Sequence, residues 1–119
     1  MGLFNRSAAR TAIPEVSPSE ARMLTEQKAL LLDVREHNEW DAGHAPHATH
    51  TPLDALRPDQ LPSDRIVVAI CRSGNRSGKA AKQLAEAGID VRNMTGGMAA
   101  WQKSGLPVVR DGGGPGTVA

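Results

Sequence analysis

The chain has no tyrosine, one phenylalanine (Phe4), two tryptophans (Trp40 and Trp101) and one cysteine, Cys71. With aromatics at 3% of 119 residues, an ordered core has to be built from Leu, Ile, Val, Ala and Met, which suggests aliphatic strands packed by helices. A single cysteine cannot close an intramolecular disulfide or supply the several thiolates of a structural zinc site. The thiol is therefore either buried filler or a reagent. An excess of charge is also missing. Fourteen basic side chains against 13 acidic ones leave a net charge of +1 and no electrostatic case for a nucleic-acid or membrane-surface binder. The longest apolar run, Ile66–Cys71, is six residues, against about 20 for a membrane helix. The first residues, MGLFNRSAARTAIP, are basic but lack the apolar stretch of a signal peptide, so a cytoplasmic protein is expected.

What remains fits one domain. Residues 1–12 lack periodicity and 110–119 are Gly-rich with almost nothing to bury, so both are expected to be flexible extensions of a folded unit at 13–109. Ser17, Pro18 and Glu20 read as N-cap, N1 and N3 of a helix running into PSEARMLTEQK. Ala29–Val34 and Arg65–Ile70 are apolar on successive positions, as in strands covered on both faces of a parallel sheet. Between them, residues 35–42 read as a brief helix stopped by Gly43, and 44–65 as little more than a short strand or turn. Ser77–Ala87 shows helical spacing of Ala80, Ala81, Leu84 and Ala87 before Gly88. Ile89–Met94 gives a third strand, Gly96-Gly97 a turn and Met98–Lys103 a last helix. Strands alternating with helices predict a parallel α/β sheet.

Cys71 falls at the carboxyl end of the apolar strand 65–70, where open α/β sheets place their working crevice. The residues after it, Arg72-Ser73-Gly74-Asn75-Arg76-Ser77, can curl so that backbone N–H groups surround the sulfur, with Gly74 tolerating positive φ. A helix N-terminus and two arginines favour thiolate over thiol, and no carboxylate lies between Ile66 and Leu84. An inert core cysteine needs none of this.

ICRSGNRSGKAAKQLAEAGI, LLLDVREHNEWDAGHAP and NMTGGMAAWQKSGLP together resemble a single-domain rhodanese over about residues 15–107. The resemblance implies a rhodanese-like fold, a five-stranded parallel sheet flanked by helices on both faces. It also implies a sulfurtransferase of the thiosulfate type that carries sulfane sulfur as a persulfide on Cys71. The six-residue CRSGNR loop matches the sulfur-transferring members, whereas related phosphatases and arsenate reductases use a wider Cys-x5-Arg ring. Cys71 would be the nucleophile, with Arg72, Ser73, Gly74, Asn75, Arg76 and Ser77 binding the substrate. A small anionic donor such as thiosulfate would load the sulfur. Lacking a second cysteine, the chain needs an external acceptor: glutathione, a thioredoxin-like protein or cyanide. No cofactor is implied. The alternative is a non-enzymatic rhodanese module for protein interaction or sulfur sensing.

Other residues carry quieter expectations. Asp33 and Arg35 read as structural, Asp33 bonding to backbone and Arg35 pairing with Glu36 or Glu39. His44, His47 and His50 recur every third residue, but Pro46 and Pro52 prevent a helix that would align them and no thiol or carboxylate completes a metal set. His44 follows Gly43 as in the family's Gly-His pair, a structural position. Trp40 and Trp101 are expected to pack helices on the sheet, and Lys79 and Lys82 to form a solvated face or a basic rim.

Overall fold

The structure is a computed structural model and describes residues 12–119. Phe4 and all of the expected N-terminal extension except Ala12 lie outside the described residues. Five parallel strands form one sheet in the order β1-β5-β4-β2-β3: β1 Glu15–Val16, β2 Leu30–Asp33, β3 Thr49–His50, β4 Val67–Ile70 and β5 Val91–Met94. The helices are α1 Pro18–Glu26, α2 His37–Ala42, α3 Asn75–Glu86 and α4 Gly97–Lys103. Two single 3-10 turns, Leu53–Ala55 and Pro58–Gln60, fill the connection from β3 to β4.

The helix start at Ser17 is as expected. Ser17 Oγ accepts from Glu20 N at 3.1 Å, Glu20 Oε1 accepts from Ser17 N at 2.8 Å, and Pro18 occupies N1. These bonds satisfy two donors that the first helical turn would otherwise leave open. Helix α3 begins at Asn75, two residues before the expected Ser77, because Gly74 adopts φ +108° and turns the chain there. Strand β1 has no sequence signature. Its two residues pair with Asn93 and Met94 at the edge of the sheet, too short a run for any periodicity.

The two central strands carry apolar residues on both faces because both faces are covered. On one side Leu32, Val67, Ala69 and Val91 pack against Ala80, Ala81 and Leu84 of α3. On the other, Leu31, Val68, Ile70 and Met94 pack against Ala21 of α1 and Met98 and Trp101 of α4. Burying each such Leu, Ile or Val side chain contributes about 1.5–3 kcal/mol, so neighbouring β2 positions stabilise opposite layers. Cys71 continues β4 on the α3 side. It sits at the carboxyl edge of the sheet's central strand.

The segment 110–119, set apart above as a tail, lies back along the domain. Val109 and His44 exchange backbone hydrogen bonds, Thr117 N donates to Ala42 O, and Val118 packs against the α1–α4 core. Gly43 makes room for this approach, since a Cβ there would lie 2.6 Å from Thr117 N.

Candidate functional site

The carboxyl edge gathers its residues from five elements. Strand β4 delivers Cys71, Gly74 turns the chain, and α3 starts so that its N-terminal amides face back toward the sulfur. Gly74 N donates to Cys71 Sγ at 3.0 Å and Ser77 Oγ lies 3.3 Å from it. Burial works to raise the thiol's pKa. Hydrogen bonds from the Ser77 side chain and from the amides of Ser77, Gly74 and Ser73 outweigh it, so the net shift is downward from the ordinary 9.0.

The predicted site residues are brought together in two tiers. Arg72, Ser73 and Asn75 are exposed at the mouth, whereas Ser77 is buried beside the sulfur. Asn75, Arg76 and Ser77 belong to the first turn of α3, so the loop proper is only Arg72 to Gly74. Cys71 itself is 0% exposed.

The two arginines differ. Arg76 is committed to Glu39 of α2 through two hydrogen bonds, of 2.6 and 2.8 Å. Glu39 Oε1 also accepts from Glu36 N, capping α2, and the pair holds the Glu39 carboxyl down at about 2. The absence of acid between Ile66 and Leu84 thus misleads, because a carboxylate 37 residues upstream reaches the loop. Arg72 extends from the mouth and donates through Nε to Ala119 O at 2.7 Å.

Three residues of the site were not singled out from the sequence. Glu39 is one. Asn93 of β5 accepts from Ser77 Oγ at 2.6 Å and donates to Gly74 O at 3.3 Å. Gly97 opens α4 at φ +59°, and the amides after it, Met98 N and Ala99 N, donate to Cys71 O and Arg72 O at 2.7 and 3.0 Å. The Gly96-Gly97 pair was the available signal, read only as a turn.

Asp33 bonds to backbone as expected, accepting from Arg35 N at 3.1 Å. The expected partner of Arg35 is corrected: it pairs with Asp33 at 2.8 Å, both side chains fully buried, and donates to Gly43 O. Residues two apart in extended chain point the same way, whereas Glu39 is engaged by Arg76. His44 and His50 both stack on Trp40, at ring separations of 3.5 and 4.8 Å. His44 bonds Ala45 O and Asp111, His50 bonds Arg35 O, and His47 takes a turn position at φ +66°. His44 and His50 thus share the Trp40 ring but bond different oxygens. Trp101 is buried and donates to Pro107 O, and Lys79 and Lys82 are exposed. Among the described residues no helix is long and apolar enough to cross a membrane.

The sequence matches the family described as Rhodanese-like domain over residues 17–104. The chain belongs to the rhodanese-like family. It is 38% identical over 91 residues to a protein of Allochromatium vinosum named Sulfurtransferase, covering 74% of this chain and 85% of that one. An uncharacterised protein of Synechocystis sp. is 39% identical over 99 residues, covering 80% of this chain. The chain spans 55% of that relative's length. The crystal structure of a rhodanese-related protein from Thermoplasma volcanium superposes with a TM-score of 0.75 at 28% identity, covering 81% of this chain and 97% of that one. The rhodanese-like fold expected from the sequence is the one observed, with α3 on one face of its sheet and α1 and α4 on the other.

Proposed function

We propose that this rhodanese-like chain is a sulfurtransferase that carries sulfane sulfur on Cys71. The observation that carries the reading is a sulfur that takes a backbone amide at 3.0 Å and faces the N-terminus of a 12-residue helix. Such donors favour the anion, and the anion is the nucleophile. Membership of the family and the sulfurtransferase of Allochromatium vinosum support it.

The Cys71 thiolate attacks the outer sulfur of a donor such as thiosulfate. A new S–S bond forms, the donor's S–S bond breaks, and sulfite leaves with the electron pair. The charge on the terminal sulfur of the persulfide is met by amides of the loop and by Arg72, which is exposed at the mouth and exchanges Ala119 O for the sulfur. An external thiolate or cyanide then attacks that terminal sulfur and restores the Cys71 thiolate. The acceptor is glutathione, a thioredoxin-like protein or cyanide, and Arg76, braced by Glu39, holds the loop in shape. A chain whose one thiol works in reduced form suits the cytoplasm.

Steady-state assays with thiosulfate and cyanide test this. Thiocyanate should form with the parallel double-reciprocal lines of a ping-pong mechanism and vanish in Cys71→Ser; intersecting lines, or turnover surviving that substitution, overturn the reading. The full enclosure of Cys71 favours a second reading, a non-enzymatic module that senses sulfur or binds a protein. It predicts no turnover with any of the three acceptors.

A further inference from the structure

Ser77 Oγ stands 2.6 Å from Asn93 Oδ1 and 3.3 Å from Cys71 Sγ. A hydroxyl has one hydrogen to give, so the two contacts cannot both be donations from Ser77. The amide of Asn93 decides which is. Its far end faces Gly74 O, which only accepts, so that end is Nδ2 and the end toward Ser77 is the carbonyl oxygen. Asn93 Oδ1 also only accepts. At 2.6 Å the hydroxyl hydrogen therefore belongs to Asn93, and Ser77 turns lone pairs toward the sulfur. A neutral Cys71 thiol fits that arrangement by donating S–H to Ser77.

Ionisation reverses the demand. A thiolate accepts and cannot donate, so once the Cys71 proton has left for solvent the anion faces oxygen lone pairs unless the Ser77 hydroxyl swings onto it. That swing strips the donor from Asn93 Oδ1, whose residue is 7% exposed with little water to replace it. We propose that Asn93 is a positioning residue which withholds the single Ser77 proton from the Cys71 sulfur, so that thiol ionisation and the rotation of one buried hydroxyl are a single coupled event. The consequence is a nucleophile kept partly in check at rest. When Cys71 becomes the inner sulfur of a persulfide its charge has moved outward, and the Ser77 hydrogen returns to Asn93. This deepens the proposed function and rests on Cys71 as its reacting group.

The charges around the sulfur stay constant when Asn93 or Ser77 is changed. They are Arg72 of the loop, Arg76 of α3 with Glu39 of α2, and the Asp33–Arg35 pair at the end of β2. Strand β5 and α4 present Asn93, Gly97 and Met98 here. Arg92 lies on the other side of the sheet, near Val16 and Met23.

The test is the midpoint for ionisation of Cys71, read from the pH dependence of iodoacetamide alkylation and from thiolate ultraviolet absorbance. Asn93→Ala should lower the midpoint by about one pH unit, the scale of one hydrogen bond. Ser77→Ala should raise it by about the same amount, and in the Ser77→Ala background Asn93→Ala should lose its effect. A simple brace predicts the opposite sign, since a loosened loop loses amide bonds to sulfur. An unchanged or raised midpoint in Asn93→Ala, or an equal fall without Ser77, overturns the proposal. Should Asn93→Ala not fold, the native protein gives the answer: the side-chain amide NMR resonances of Asn93 should titrate at the Cys71 midpoint, and flat resonances overturn the coupling. None of these measurements needs a sulfur donor. Coupling without sulfur uptake would sink the proposed function alone, and uptake without coupling would sink this inference alone.

Discussion

Arg76 and Glu39 hold each other through two parallel hydrogen bonds, Nη1 to Oε1 at 2.6 Å and Nη2 to Oε2 at 2.8 Å, and so tie the first turn of α3 to α2. Two-point geometry of this kind is stronger and more directional than an ordinary surface pair. It stiffens the wall beside Cys71 and at the same time cancels most of the Arg76 charge. Arg72, by contrast, is exposed at the mouth and bonded to Ala119 O.

Glu39→Gln should cost about 1.5–3 kcal/mol of stability at neutral pH, the range for a hydrogen bond to a charged group. The pH dependence has a defined sign. In the folded protein the carboxyl titrates at about 2, below the ordinary 4.5, so its contribution is complete above about 4.5 and is lost as pH falls toward 2. Urea denaturation of native protein and variant at a series of pH values should show their difference shrinking through that window. A constant difference contradicts the assignment.

Arg72→Ala should discriminate between reagents by charge. Alkylation by anionic iodoacetate should slow roughly 3–10-fold while neutral iodoacetamide slows less, and added salt should erase the gap. Equal slowing of both would mean that Arg72 shapes the loop instead of drawing anions.

Gly97→Ala tests the buttress under the loop. The new Cβ would fall on Cys71 O and 2.5 Å from the Arg72 carbonyl, at φ +59°, so the loop must shift. A displacement of this order should slow alkylation of Cys71 by roughly 10–100-fold. Gly105→Ala is the control: its φ is +81°, but nothing lies within 4 Å of the added atom. It should cost about 1–2 kcal/mol from backbone strain and leave the thiol's rate unchanged.

Asp33→Ala leaves Arg35 charged and fully buried without its carboxylate. The expected loss is about 3–5 kcal/mol by denaturant titration. A loss below about 1 kcal/mol would contradict the view that the pair anchors the end of β2.

The central strands, the Ser17 cap and the cysteine turn were legible in the sequence because each rests on neighbours along the chain. ALLLDV and RIVVAI declare two covered faces within six residues, and Ser17 declares its helix through Glu20 three residues on. What was not legible depends on residues that only the fold brings together. Glu39 meets Arg76 across 37 positions, Asn93 meets Ser77 across 16, and Gly97 meets Cys71 through the approach of α4. The pairing of Arg35 was misread for a related reason, since proximity in sequence offered three acids and strand geometry selected Asp33. The docking of 110–119 was equally hidden. It is made mainly by backbone groups, which leave no mark on composition.

The account stands on Cys71 being a loaded sulfur carrier, and intact-mass spectrometry after incubation with thiosulfate tests that most directly. One added sulfur, removed by reductant and absent from Cys71→Ser, is the predicted result. An unchanged mass for the folded protein, with its thiol also inert to iodoacetamide, would mean that the enclosed sulfur never meets a donor.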